Sequence, residues 1–295
     1  MTTRLRTLLV LLLIVCASCA GPAVFDRSTV VGVSSTGEPA GSPSGATTSS
    51  TQQPSPQSTH APATTTSAAT TTSSPRGPLD GVTIAIDPGH NGMNWAHLDE
   101  INALVDIGTI SKPCNTTGTA TADGYPEATF TWAMAVLTRT RLEALGATVT
   151  LTRPDNEGWG PCITERAAIA NRSGAAAAIS IHADGGPESG RGFHVIYPEV
   201  VAGLTDDIAD ESRLLATAIH AAVATTQMPV ADYIGEDGFS VRNDLGGLNL
   251  SDVPVVFLEA GDMKNAVDAA LLTDPQFQAL LADTLVAGLV EFLSG

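Results

Sequence analysis

Over residues 81–295 short apolar runs alternate with longer segments of helical periodicity, and this alternation restricts the fold more than any other feature of the chain. Val82-Thr83-Ile84-Ala85-Ile86 reads as a strand ending at Asp87-Pro88-Gly89. A helix is expected from about Pro126 to Leu145, with Phe130, Met134 and Leu137 on one face and Gly146 as its stop. Ala147 to Thr152 reads as a second strand, followed by a short helix over Ile163 to Asn171. Further strands are expected at Ala178 to Ile181, Phe193 to Tyr197 and Val255 to Leu258. Helices over Asp207 to Thr226 and Pro275 to Leu293 complete the pattern. Such alternation predicts a single three-layer α/β/α domain around a largely parallel, mixed sheet of about six strands. Ligands of such sheets collect at the carboxyl ends of the strands.

The residues before this pattern cannot join a core. Arg4 and Arg6 followed by the apolar run Leu8 to Val15 read as an export signal, too short for the roughly 20 residues that span a bilayer. Residues 1–20 are therefore assigned to a signal peptide. Its end, Cys16-Ala17-Ser18-Cys19-Ala20-Gly21, has the small residues a signal peptidase accepts, and Ala17-Ser18-Cys19 resembles a bacterial lipobox. Cys16 stands where a lipobox usually has Leu; the alternative is cleavage near Ala20 and free secretion. Lipidation of Cys19 and anchoring in the cell envelope are the expectation. Residues 21–78 are rich in Ser, Thr, Pro, Ala and Gly, and are expected to form a disordered tether spanning roughly 40 Å. Residues 79–295, roughly 215 in number, are enough for one sizeable core.

The formal net charge of −17 disfavours both a nucleic-acid backbone and an anionic membrane surface. Membrane contact would then come only through the acyl chains of an N-terminal anchor. In the body of the protein two cysteines remain, Cys114 and Cys162. In an oxidising compartment they suggest one disulfide, two free thiols being the alternative.

Four residues carry the chemistry. His90 follows the first strand, His182 ends the strand Ala178-Ile179-Ser180-Ile181, and Glu259 ends Val255-Val256-Phe257-Leu258. Glu127 opens the long helix after Pro126, where the positive helix end favours a carboxylate, and it stands three residues before core-facing Phe130. Two imidazoles and one carboxylate suit a catalytic zinc with its fourth position left to water, and a second carboxylate can then move protons. Arg242, Asn249 and Asn265 flank the Glu259 strand and are candidates for substrate contact. His194 is read as structural, His97 and His220 as surface residues, and Trp132 and Met134 as core; His60 falls in the tether.

Four segments carry a family resemblance: Ile86-Asp87-Pro88-Gly89-His90-Asn91-Gly92, Gly124-Tyr125-Pro126-Glu127, Ser180-Ile181-His182-Ala183-Asp184 and Leu258-Glu259-Ala260-Gly261-Asp262-Met263-Lys264-Asn265. From Gly81 to Gly295 the chain resembles the zinc-dependent N-acetylmuramoyl-L-alanine amidases of the amidase-3 family, especially the compact secreted enzymes of mycobacteria. The resemblance implies one Zn2+ on His90, Glu127 and His182, with Glu259 as the catalytic carboxylate. It also implies a disulfide between Cys114 and Cys162, and a peptidoglycan or muropeptide substrate handled by a monomer. Asn91 replaces a glycine common in the family, and Asp184 stands where Asn is frequent. The competing readings are a zinc peptidase or deacetylase of other wall substrates, and a non-catalytic wall-binding lipoprotein.

Overall fold

The structure, a computed structural model, describes residues 77–295. The expected signal peptide, Cys19, His60 and all of the tether except Gly77 and Pro78 lie outside the described residues. Gly77 already packs on the backbone of Leu145, and Leu79 donates to the Leu145 carbonyl at 3.0 Å.

The chain then runs through β1 (Thr83–Pro88), a 3-10 turn (Asn94–Ala96), α1 (Leu98–Ile101), β2 (Leu104–Asp106), β3 (Ser111–Pro113), α2 (Glu127–Ala144), β4 (Thr148–Leu151), α3 (Ile163–Arg172), β5 (Ala177–Asp184), β6 (His194–Pro198), α4 (Ala209–Val223), β7 (Phe239–Arg242), α5 (Gly246–Asn249), β8 (Val255–Asp262), α6 (Ala266–Leu272) and α7 (Pro275–Ser294). The main sheet has six strands in the order β4-β1-β5-β8-β6-β7. The first four are mutually parallel, β6 is antiparallel to β8, and β7 is parallel to β6. A separate two-stranded ribbon, β2-β3, stands between β1 and α2 in the chain.

Alternation along the strands sends successive side chains to opposite layers. Ile84 and Ile86 of β1, Ile179 and Ile181 of β5 and Val256 and Leu258 of β8 face the main core. There they meet Phe130 and Met134 of α2, Leu215 and Ile219 of α4 and Leu281, Leu285 and Leu289 of α7. Helix α7 is long and apolar enough to cross a bilayer by length and composition alone. Its i, i+4 stripe Phe277, Leu281, Leu285, Leu289 is instead buried in this core, and Asp274 caps its start by accepting from the Gln276 N–H at 2.9 Å. The opposite layer is thinner. Ala85, Ala178, Val255 and Ile196 meet Ala170 of α3, Leu248 of α5, Phe257 of β8 and a few loop residues. The three-layer α/β arrangement expected from the alternation is present, with unequal layers.

Several elements differ from the expectation. β5 and β8 continue past Ile181 and Leu258 to Asp184 and Asp262, so His182 and Glu259 lie inside strands. Their partners supply extended backbone to pair with, across a register shift between His182 and Asp184. Trp132 is half-buried and lies under Arg153, whose guanidinium carbon is 5.1 Å from its ring centroid, whereas Met134 is fully buried. His220 is not a free surface residue: it stacks on Phe239 at 4.4 Å and contacts Phe193. These apolar neighbours leave its Nε2 without a partner.

Candidate metal centre and active site

Two imidazoles converge on one buried carboxylate. Glu127 is the first residue of α2, behind the extended Pro126, and its side chain is turned inward at the sheet's carboxyl edge. His90 Nε2 lies 3.0 Å from Glu127 Oε2, and His182 Nδ1 lies 2.9 Å from Oε1. The Thr119 N–H donates to Oε2 at 3.0 Å and the Ala183 N–H to Oε1 at 3.2 Å, so the backbone fixes both oxygens. One donor atom from each of the three residues falls within 4.8 Å of the others. The rings of His90 and His182 meet edge to face at 4.9 Å, and His182 stacks flat on Phe257 at 5.4 Å.

Close approach is possible because glycines surround the cluster. A Cβ at Gly89 would collide with the His182 ring, and one at Gly118 would lie 2.8 Å from both Glu127 Oε2 and His90 Cδ2. His90 itself sits at φ 58, a left-handed conformation that costs a non-glycine residue energy. Its carbonyl is held by Arg166 Nη2 at 2.5 Å. Its Nδ1 faces the Thr116 carbonyl at 3.0 Å, which leaves Nε2 directed inward.

Arg153 and Arg166, both buried, brace the loop that carries His90, and the sequence reading missed them. Arg166 donates to Asp87 at 2.7 Å and to the carbonyls of Pro88, His90, Gly160 and Pro161. Arg153 donates to the carbonyls of Pro88, Ala128 and Asp155. Burial alone would raise the Asp87 carboxyl, but the Arg166 charge and hydrogen bonds from Ser180 and Thr152 hold it at about 2. Burial and the neighbouring Arg166 charge pull Arg153 down to about 9.

Glu259 stands across from His182 in the β5-β8 register. Its Oε2 has no hydrogen-bond partner. Burial, then the charges of Glu127 and Asp184, push its carboxyl well above the ordinary range, with Arg242 opposing. For Glu127 burial acts upward too, but His90 and His182 outweigh it and keep the group ionised. On the far side of Glu259, burial lowers His194 to about 4. His194 is enclosed, with Nδ1 unpartnered, and lies outside the metal cluster.

The thin layer leaves a cavity of ≈ 420 Å³ above these residues. His90, Glu127, His182 and Glu259 line it, with Lys112, Thr116, Arg242 and Phe257 among its walls. Arg242 is thus placed to meet a ligand, although Asp244 grips it at 2.6 and 2.8 Å and Lys112 shares that carboxylate at 3.3 Å. Asn249 and Asn265, expected as substrate contacts, are both bonded within the protein. Asn249 is 1% exposed, and its amide donates to Ile107 O, Thr109 Oγ1 and Asn243 O, tying the β2-β3 ribbon down. Asn265 caps α6 by accepting from the Val267 and Asp268 N–H groups. Neither lines the cavity. Cys114 and Cys162 form a disulfide that joins the β3 end of the ribbon to the start of α3.

Residues 84–291 match the model of the Amidase_3 family, described as N-acetylmuramoyl-L-alanine amidase. The chain is 41% identical over 218 residues to the N-acetylmuramoyl-L-alanine amidase Rv3717 of Mycobacterium tuberculosis, covering 73% of this chain and 88% of that protein. The crystal structure of the N-acetylmuramyl-L-alanine amidase Ami1 from Mycobacterium smegmatis superposes with a TM-score of 0.69 at 41% identity, over 73% of this chain and 98% of that one. The apo form of Ami1 from Mycobacterium abscessus gives the same TM-score and identity, with all of that chain covered.

Proposed function

The chain belongs to the Amidase_3 family, and from that premise we propose that it is a peptidoglycan hydrolase cutting the amide between N-acetylmuramic acid and the L-alanine of the stem peptide. The observation that carries this reading is the pairing, at one cavity, of a His-Glu-His donor cluster with a second carboxylate that has an unused oxygen. His90, Glu127 and His182 would hold Zn2+: two imidazoles and a carboxylate suit it, and the glycines leave the space. When bound, zinc supplies Lewis-acid polarisation of the scissile carbonyl and makes the attacking water more acidic.

The side chains divide the remaining work. In its ionised form Glu259 takes the proton of the attacking water at Oε2. The surroundings that raise its carboxyl favour that proton uptake, and the resulting acid delivers the proton to the departing alanine nitrogen. Its position one strand over from His182 keeps donor and acceptor in one rigid sheet. Phe257 packs under His182 and covers that side of the site. Arg242 and Lys112 offer positive charge to a stem-peptide carboxylate in competition with Asp244. Action on the wall requires export; the protein works as a monomer held at the envelope by a lipid on Cys19.

Digesting purified peptidoglycan and analysing the products by mass tests the reading. Free stem peptides beginning with L-alanine are expected. Cleavage within the stem, loss of acetyl groups, or intact muropeptides would each replace the amidase with a peptidase, a deacetylase or a binder.

A further inference from the structure

Two of the three tryptophans in the chain point into solvent. Trp95, in the turn after β1, is 65% exposed, and Trp159, in the loop after β4, is 42% exposed. His97 stacks on Trp159 with ring centroids 5.2 Å apart and an interplanar angle of 21°. Leu98, 51% exposed, extends the apolar surface. Indole rings left in water forgo the burial that ordinarily stabilises a fold, so a rigid mount that keeps them there points to a ligand.

The mount is rigid. Buried Asn94 accepts from the Gly160 N–H at 2.8 Å and donates to the Thr116 carbonyl at 2.7 Å, and the Met93 N–H donates to Gly158 O at 2.9 Å. These bonds lock the Trp95 turn to the Trp159 loop. The same Thr116 carbonyl faces His90 Nδ1, and Thr116 lines the cavity. Through Thr116 the Trp95 turn is tied to the loop that faces His90 and lines the cavity.

We propose that Trp95, His97 and Trp159 form a platform on which sugar rings of the peptidoglycan glycan strand stack beside the reacting unit. This inference rests on the amidase reading, because a polymer cut at its side branches must run on past the cavity. The C–H face of a pyranose is apolar and complements the electron-rich face of an indole. Asp99, Glu100, Asp155 and Glu157 are exposed around the patch. Their carboxylates can accept from sugar hydroxyls and would repel an anionic lipid headgroup.

The experiment titrates the full chain with linear N-acetylglucosamine oligomers, which lack the lactyl–alanine amide and are therefore bound without being cut. Calorimetry reads the affinity and indole fluorescence the contact. Saturable binding is expected, weakened about tenfold by Trp95→Ala with Trp159→Ala and kept within about threefold by the Phe pair. Trp95→Ala alone changes a solvent-exposed turn residue and settles any doubt about folding; it must weaken binding at least about threefold. Absence of binding by the parent, or equal binding by the Ala variants, overturns the platform. So does a dimer in sedimentation, or attachment to neutral phosphatidylcholine vesicles, that the Ala variants abolish. Failure of the amidase reading would show separately, as an absence of free stem peptides while oligomer binding persists.

Discussion

Replacing Arg166 with methionine removes the brace under His90 while keeping much of the side-chain volume. The guanidinium satisfies Asp87 and four carbonyl oxygens, those of Pro88, His90, Gly160 and Pro161. Taking one partner from a buried pair leaves an uncompensated charge and costs about 3–5 kcal/mol. The Asp87 carboxyl lies at about 2 against an ordinary 3.8, which is itself about 2 kcal/mol of stability at neutral pH. The sign follows from the lowered value: the contribution is complete above pH 3.8 and is lost as pH falls through 2. In Arg166→Met the buried carboxyl loses its ion-pair partner and keeps only the field of Arg153 and the Ser180 and Thr152 hydroxyls, so acidification harms the variant less than the parent. Urea unfolding at pH 7 should place the variant about 3–5 kcal/mol below the parent. At pH 3 the gap should shrink by at least about 1 kcal/mol. Asp87→Asn in the same variant should restore part of the loss. A gap under about 1 kcal/mol at pH 7, or one independent of pH, would refute the brace.

The two glutamates should separate cleanly. Glu127→Ala is expected to lose zinc and activity together, whereas Glu259→Gln should keep its zinc and lose about 10²–10⁴ in turnover; metal analysis beside a stem-peptide release assay checks both. Cys114 and Cys162 close a loop of 48 residues, so replacing both with serine should lower stability by about 4 kcal/mol without emptying the metal site, as melting and zinc content would reveal. Cys19→Ala should move the protein from the membrane fraction to the medium, and an unchanged distribution would exclude the lipid anchor.

What could be read from the residues was what periodicity and local chemistry encode. His90, Glu127, His182 and Glu259 each follow or open a strongly patterned element, so their convergence at one sheet edge follows from the α/β topology. The strand extensions were hidden because Ala183-Asp184 and Ala260-Gly261-Asp262 carry no apolar alternation; they are extended by pairing with each other. β7 and the β2-β3 ribbon are short and partly polar, and tertiary contact rather than propensity makes them strands. Arg166 left a faint trace, sharing the buried side of α3 with Ala167 and Ala170, and Arg153 another, standing just beyond β4 at the carboxyl edge. For Asn249 and Asn265, proximity to the Glu259 strand in the chain did not reveal the bonds each amide makes, one buried and one at a helix start.

The excursion between β1 and α2 supplies Lys112, Pro113 and residues 115–119 of the cavity wall, yet between His90 and Glu127 it contributes nothing to the donor cluster. It is fastened to the body by the disulfide, by Asn249 and by the Lys112–Asp244 pair, three attachments independent of the cluster. The excursion nevertheless touches the cluster, since its Thr119 N–H holds Glu127 Oε2 at 3.0 Å and its Thr116 carbonyl faces His90 Nδ1 at 3.0 Å. The wall that admits a ligand and the side chains that would act on it are therefore mechanically joined.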